Sequence, residues 1–520
     1  MVNNIAFQKS KRWHKRSFKE LIKYLMALIL VQAGYLAEAQ EAITLRTIEE
    51  SITRQDLKKH LEIIAHDSLE GRETGQIGQK KAAQYIRAQF EKSGVKPVTI
   101  NGKKTYFQRF QLYRKNQGEI FITVKGVRYE NMKDILYIKT DSGRTERNID
   151  VVFVGNGTPE DYQRIEHADK GVVLFYPDGE NGRDDKINTA LEAGAENIFF
   201  IYGTSDEDIQ KQIRLFNNYY RRSRLDFRDS TTGKKEQVFY IPPSLAETMF
   251  ENSMKHLRSA ADKSSKGRYK SIGKVPAGKL SFKVENLEEA VETENVLGFV
   301  EGLEKPDEVV AITAHYDHVG IINDEIYNGA DDNGSGTCAV LEIAEAFSLA
   351  RANGLGPKKS VLFILFSGEE KGLLGSKYYT TNPVFPLDKT CGDFNIDMIG
   401  RIDNRYVDDP NYVYLIGSDK ISRELHEISE KVNETYFGIP IDYTYNRDSD
   451  PNRFYYRSDH YNFAKNGIPS IFYFTGVHDD YHKPTDEVDK ILFGRMEKIC
   501  RLVFYTAWEV ANMDHELSKK

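Results

Sequence analysis

Apolar positions give the chain three successive textures. Thr53-Arg54-Gln55-Asp56 has the spacing of a capping box, and Leu57, Leu61 and Ile64 behind it share one helical face. A second helix is predicted over 80–92, stopped by Gly94, and 105–113 alternates as a strand does. From about residue 119 short strand-like runs take over, at 120–124, 135–138, 151–154, 172–175 and 198–201. A helical stretch at 186–195 lies between the last two, and a Lys/Ser-rich linker is expected at 259–270. Beyond it, apolar runs at 309–316, 361–366, 394–398, 413–416 and 470–474 alternate with helical patterns at 337–350, 377–381, 423–433 and 490–512.

Buried strands alternating with amphipathic helices predict an α/β fold, with a mixed, mostly parallel sheet flanked by helices. The chain has 520 residues, more than the roughly 250–300 that a single core serves. The expected division is a signal peptide over 1–39, the first part of the main domain over 40–119, a β-rich insertion over 120–270 and the second part of the main domain over 271–520.

Lys9, Lys11, Arg12, Lys15, Arg16, Lys19 and Lys23 precede an apolar run at 24–31 and small residues ending Ala37-Glu38-Ala39. This is the pattern of a signal peptide, and it predicts an exported protein. The run is shorter than the roughly 20 apolar residues of a membrane span, so no stable membrane insertion is expected. With 30 Tyr, 28 Phe and a net charge of −6, the chain reads as folded and without the basic footprint of a nucleic-acid binder. The basic, aromatic segment 219–224 is read as a solvated loop, or as a loop that overhangs the site. Cys338, Cys391 and Cys500 read as buried thiols, too few for a disulfide framework in a chain this long. Nothing in the sequence fixes an oligomeric state.

The reactive residue types gather where the predicted strands end. His315-Tyr316-Asp317 closes one run. Gly329-Ala330-Asp331-Asp332-Asn333-Gly334-Ser335-Gly336 leads into a helix, and Ser367-Gly368-Glu369-Glu370 ends a second run. Asn395-Ile396-Asp397-Met398 ends a third, and Tyr481-His482-Lys483-Pro484-Thr485-Asp486 follows the last. In open α/β sheets ligands bind beyond the carboxyl ends of the strands. Each motif alone is ordinary, since an acidic turn or a Glu-Glu pair is usually solvated charge. Their succession at strand ends is what points to chemistry, and nitrogen and oxygen donors without thiolate suit a catalytic metal site. Strand alternation puts Asp317 on the face of His315, where it can hold the second imidazole N–H, and puts His318 on the other face, outside the set. His478, Asp479 and Asp480 read as loop residues near the site, and Asp486 as an outer partner of it. No G-x-S-x-G elbow, P-loop or H-E-x-x-H motif offers a rival chemistry.

In this order the motifs resemble the M28 family of co-catalytic zinc aminopeptidases, over about 41–118 and 271–515. Gly171-Val172-Val173-Leu174-Phe175 with Ala190-Leu191-Glu192-Ala193-Gly194-Ala195 resembles a protease-associated (PA) domain. The resemblance implies a phosphorylase/hydrolase-like zinc peptidase fold, two Zn2+ per chain, and removal of N-terminal residues from peptides with a free N-terminus. It implies that His315 binds one zinc and His482 the other, that Asp331 bridges them, and that Glu370 and Asp397 each complete one shell. Glu369 would be the general acid/base acting on a metal-bridged hydroxide, and Asp317 would orient His315. Three carboxylates and a hydroxide balance the four positive charges of two zinc ions, the histidines binding as neutral imidazoles. A cis peptide is expected at Asp331–Asp332. Arg457, Ser458 and Asp459 would border the substrate pocket, unless Ser458 or Asp459 caps a helix instead. A carboxypeptidase, or less readily a glutaminyl cyclase, stands as the alternative on the same fold.

Overall fold

The computed structural model describes residues 44–137, 146–177, 182–220, 224–228 and 236–520. The signal-peptide reading of 1–39 lies outside the described residues, as do residues 221–223 of the basic, aromatic segment.

The main sheet is mixed. Its strands in chain order are β1 (Lys96–Ile100), β2 (Gly278–Val300), β3 (Lys305–His315), β4 (Lys359–Phe366), β5 (Thr390–Ile396), β6 (Val413–Ile416), β7 (Ile441–Asp442) and β8 (Ser470–Phe474). In space they run β1-β2-β4-β3-β5-β8-β6-β7. The central four, β4-β3-β5-β8, are mutually parallel, while β2 and β6 flank them antiparallel. All four central strands therefore end at one edge of the sheet.

Period-two alternation divides each central strand between two apolar layers. Val310, Ile312 and Ala314 of β3, with Val361, Phe363 and Leu365 of β4, pack into the larger core. Val309, Ala311, Leu362, Ile364 and Phe366 pack into a smaller one on the opposite face. The larger core is closed by α1 (Arg54–Ile64), α2 (Ile77–Lys92), α3 (Gly336–Ala352), α4 (Arg423–Val432) and α5 (Phe493–Asn512). Thr53 caps α1 by accepting from the Asp56 amide, and Leu57, Leu61 and Ile64 are buried. Gly94, with φ +79°, follows α2 in the left-handed region that glycine reaches without strain.

Residues between the two halves of this sheet build their own cores. Arg147–Phe153, Gly171–Phe175, Asn197–Ile201 and Gln237–Ile241 are parallel neighbours in that order. Helices Gly182–Glu192, Asp206–Tyr220, Pro243–Phe250 and Met254–Ser265 accompany them, so the segment is as helical as it is stranded. The stretch expected as a linker at 259–270 is mostly helix: Met254–Ser265 buries Leu257, Ala260, Ala261 and Ser264, an i, i+3, i+4, i+7 face. Its Lys and Ser residues hid that face. The apolar cluster also takes Leu280, Phe282 and Val284, from beyond residue 270.

Two long strands join the halves. Phe107–Val124 and β2 pair antiparallel from Ser281↔Thr123 to Val296↔Phe107. At its main-sheet end this ribbon is tied to the end of β4, where the Thr293 and Ser367 hydroxyls lie 2.8 Å apart and Asn295 accepts from the Ser367 amide at 3.2 Å.

Candidate metal centre

Because the central strands are parallel, the residues just past their carboxyl ends converge. His315 ends β3, Glu369 and Glu370 follow β4, Asp397 follows β5, and His482 lies on the loop after β8. Asp332 sits in the segment Ala330–Ser335 that leads into α3.

The ligand-type atoms form two groups that share Asp332: His315, Asp332 and Asp397, and His318, Asp332, Glu370 and His482. The two oxygens of Asp332 face opposite ways. Its Oδ1 lies 3.4 Å from His315 Nε2, which is also 3.5 Å from Asp397 Oδ1. Its Oδ2 lies 3.0 Å from His482 Nε2, which is 3.2 Å from Glu370 Oε1. Glu370 Oε1, Asp397 Oδ1 and His482 Nε2 are buried and make no hydrogen bond to another described residue. Buried polar atoms that converge without partners fit a cation held between them.

The residue between the two groups is Asp332, not the Asp331 expected from the sequence. Asp331 turns away: its Oδ1 accepts from the Gly400 amide at 2.6 Å, and its Oδ2 lies 3.3 Å from His478 Nε2. The amides of Asp331 and Asp332 both donate to the Asp486 carboxylate, at 3.0 and 3.1 Å, which fixes which side chain each presents. The cis peptide is likewise one position on, at Asp332–Asn333.

His315 Nδ1 is held by the backbone carbonyl of Asp317 at 3.1 Å, with the Asp317 carboxylate farther off at 3.8 Å. A carbonyl only accepts, so Nδ1 carries the proton and Nε2 is left as the donor atom for a cation. The Asp317 carboxylate instead accepts from Thr74 Oγ1 at 2.7 Å and from the Glu369 amide at 3.2 Å. It thus positions Glu369 more directly than His315, because the chain has already left the strand at Asp317 and alternation no longer applies.

Glu369 Oε2 lies 3.8 Å from His315 Nε2. Burial raises its carboxyl well above the usual range, against the pull of His315. Burial and the neighbouring Asp332 carboxylate likewise oppose charge on Glu370, yet the positive fields of His318 and His482 hold it down to about 2. Ser458 donates to Asp397 Oδ2 at 2.7 Å and accepts from Asn395 at 2.8 Å, so it serves the Asp397 carboxylate and not a helix cap. Asp459 opens a helical turn without a side-chain cap bond; it is buried, and burial pushes its carboxyl up to about 7. Arg457 is exposed, its guanidinium 4.9 Å from the centre of the Phe454 ring. With Met398, Phe454, Phe472, Phe474, Val477 and Tyr481 it lines a small hollow whose other wall is His315, Asp332, Glu369 and Asp397.

Two residues were missed from sequence. His318, assigned to the opposite face, lies 2.8 Å through Nδ1 from Glu370 Oε1. Arg72, fully buried, donates to the carbonyls of Ile64, Tyr316, Asn328 and Gly329, clamping the segments on either side of the site. No local signal marks either; an arginine in a polar stretch reads as surface charge.

Residues 295–507 match the sequence profile of Peptidase family M28. Leupeptin-inactivating enzyme 1 of Streptomyces exfoliatus is 36% identical over 163 residues, 31% of this chain and 32% of that protein. Aminopeptidase YwaD of Bacillus subtilis (strain 168) is 28% identical over 231 residues, 43% of this chain and 46% of that protein. The chain thus spans less than half the length of these two relatives. The solved aminopeptidase from Aneurinibacillus sp. strain AM-1 shares the fold over 92% of this chain and 98% of its own, with a TM-score of 0.52 at 19% identity. Among the described residues no helix is long and apolar enough to cross a membrane. A sheet whose parallel strands deliver His315, Asp332, Glu369, Glu370, Asp397 and His482 to one edge, inside a segment with this match, identifies residues 295–507 as a domain of peptidase family M28.

Proposed function

We propose that the chain is an exported di-zinc aminopeptidase in which Asp332 bridges the two ions, His315 and Asp397 complete one site, and Glu370 and His482 complete the other. The observation that carries this reading is the carboxylate of Asp332, whose two oxygens serve two separate donor sets. Nitrogen and oxygen donors in each set suit zinc. Two ions held by these residues would supply polarisation of a scissile carbonyl and a lowered pKa for a water. Glu369, 3.8 Å from His315 Nε2 and held by Asp317 through its amide, would accept the proton of the attacking water and return it to the leaving amine. A substrate α-ammonium would be received by the carboxyl groups beyond the three that neutralise the ions, Glu369 and the neighbouring Asp459, which favours cutting at a free N-terminus. Met398, Phe454, Phe472, Phe474 and Val477 form the apolar side of the small hollow beside the donors and would face the side chain that is released. The region 120–270 is read as a PA domain, and residues 1–39 as the export signal.

Arg457 favours a second reading. It is a cation at the hollow's edge with no ion pair among the described residues, as binding of a substrate C-terminus by a carboxypeptidase would need. Aminoacyl-p-nitroanilides assayed against N-blocked dipeptides, each with and without chelator, decide between them. The expected result is chelator-sensitive hydrolysis of the anilides alone. Turnover of the blocked dipeptides alone favours the carboxypeptidase, and chelator-insensitive or absent hydrolysis of both overturns metallopeptidase function.

A further inference from the structure

We propose that His318 is a sixth protein ligand of the metal pair, bonding through Nδ1 to the ion held by Asp332, Glu370 and His482. The proposal rests on the two-metal reading above and changes its symmetry. One ion has four protein donors, the other three.

Four donor atoms surround that position: His318 Nδ1, His482 Nε2, Glu370 Oε1 and Asp332 Oδ2. The structure gives four of the six edges of the figure they make. His318 Nδ1 lies 2.8 Å from Glu370 Oε1 and 3.8 Å from Asp332 Oδ2. His482 Nε2 lies 3.0 Å from Asp332 Oδ2 and 3.2 Å from Glu370 Oε1. Zinc bonds of about 2.0–2.2 Å in a tetrahedron require edges of roughly 3.3–3.6 Å. The observed edges scatter around that span, so small side-chain shifts complete the figure.

The competing role for His318 is that of a hydrogen-bond partner which merely orients Glu370. The geometry argues against it. Neither ring nitrogen of His318 makes a hydrogen bond to another described residue, although Nδ1 is close to Glu370 Oε1; that oxygen and His482 Nε2 are also without one. The pair is close without meeting hydrogen-bond geometry, and His318 Nδ1 lies within 4.8 Å of each of the other three donor atoms. His318 is fully buried, and its amide donates to the Arg72 carbonyl at 3.3 Å, so backbone and ring are both held.

The consequence is a division of labour. Closed zinc sites hold their ion, and sites with an open position do chemistry. The donor set of His315, Asp332 and Asp397 has three protein ligands, faces Glu369, and forms one wall of the small hollow. Water and substrate would therefore be handled on that side, beside Glu369, and the His318 side would anchor Asp332.

Cobalt(II) tests this without reference to turnover. In the fully loaded protein, each ligating histidine shows one hyperfine-shifted imidazole N–H resonance that disappears in D2O. Three such resonances are expected, from His315, His318 and His482, and His318→Gln should remove one. Two resonances in the wild type, or three retained in the variant, would overturn the assignment while leaving the two-metal reading intact. No shifted resonance at all would instead overturn the metal centre itself. Stepwise cobalt titration supplies a second measure: two affinities differing by at least tenfold in the wild type are expected to converge in the variant, and equal affinities in the wild type count against the proposal.

Discussion

At the scale of single residues, Asp331 and Asp332 show how far sequence goes. Two adjacent carboxylates ahead of a helix are equivalent to any reading by type and spacing. What separates them is Asp486, which takes both their amides, and Gly400 and His478, which engage the Asp331 carboxylate. Those partners come from distant parts of the chain. Asp332→Ala is expected to lose bound zinc, and Asp331→Ala to keep it with affinity lowered by no more than about 10–100-fold, the usual effect of an outer partner; metal analysis after dialysis distinguishes the two. Glu369→Gln should retain both ions and lose about 10²–10⁴ in kcat, the range of a general acid or base, as measured on an aminoacyl-p-nitroanilide. His482 predicts a pH effect. Burial works against its charge, but Asp332 and Glu370 outweigh burial and raise it to about 10. Below that pH the metal-free protein carries a proton there that zinc must expel. Apparent zinc affinity should therefore climb about tenfold per pH unit between pH 7 and 9, with proton release measurable in weak buffer; an affinity independent of pH would contradict this.

At the scale of elements, the central strands were legible because strands buried on both faces are continuous apolar runs, as at 361–366. The helix Met254–Ser265 was not, because its buried face is small (Leu257, Ala260, Ala261) and its outer face is what dominates composition. Loop geometry was the least legible part. Arg72 explains why the loops bearing Asp317 and Asp332 hold still, since one guanidinium serves carbonyls at Ile64, Tyr316, Asn328 and Gly329. Arg72→Met leaves the Ile64, Tyr316 and Asn328 oxygens without that donor, while Gly329 keeps the Gly334 amide at 3.1 Å, at about 1–3 kcal/mol for each left unpaired. A net loss of about 3 kcal/mol corresponds to a fall of roughly 6–12 °C in Tm, read by calorimetry.

At the scale of the whole molecule, the change of texture near residue 119 falls inside the long strand that leads from the main sheet to a second set of cores. It did not locate the junction, because the junction lies inside two long paired strands and not in a loop. Strand pairing across more than 150 residues leaves no mark on local composition. The cores themselves are separate clusters, one of them centred on Phe199, Phe239 and Phe282. Calorimetry should accordingly resolve two transitions. Chelation is expected to lower only the one belonging to the main sheet, since bound metal stabilises only the unit that holds it, by about 4 kcal/mol at a thousandfold excess over Kd. Phe239→Ala should lower only the other, by about 3–5 kcal/mol. A single transition that moves as one in both cases would show that the ribbon makes the molecule one cooperative unit.

The ribbon of Phe107–Val124 against Gly278–Val300 also constrains how such a chain can vary. Its inner end is pinned to Ser367, two residues before Glu369. Its outer end belongs to another core. Side chains along it alternate between faces, so one residue added or removed in either strand would turn the outer half over relative to the inner. Lengthening or shortening is tolerated only in paired, two-residue steps, or where a bulge absorbs the odd residue, as at the irregularity between Val284 and Asn286. A foreign outer unit could be grafted here only if it arrived on two antiparallel strands already in this register.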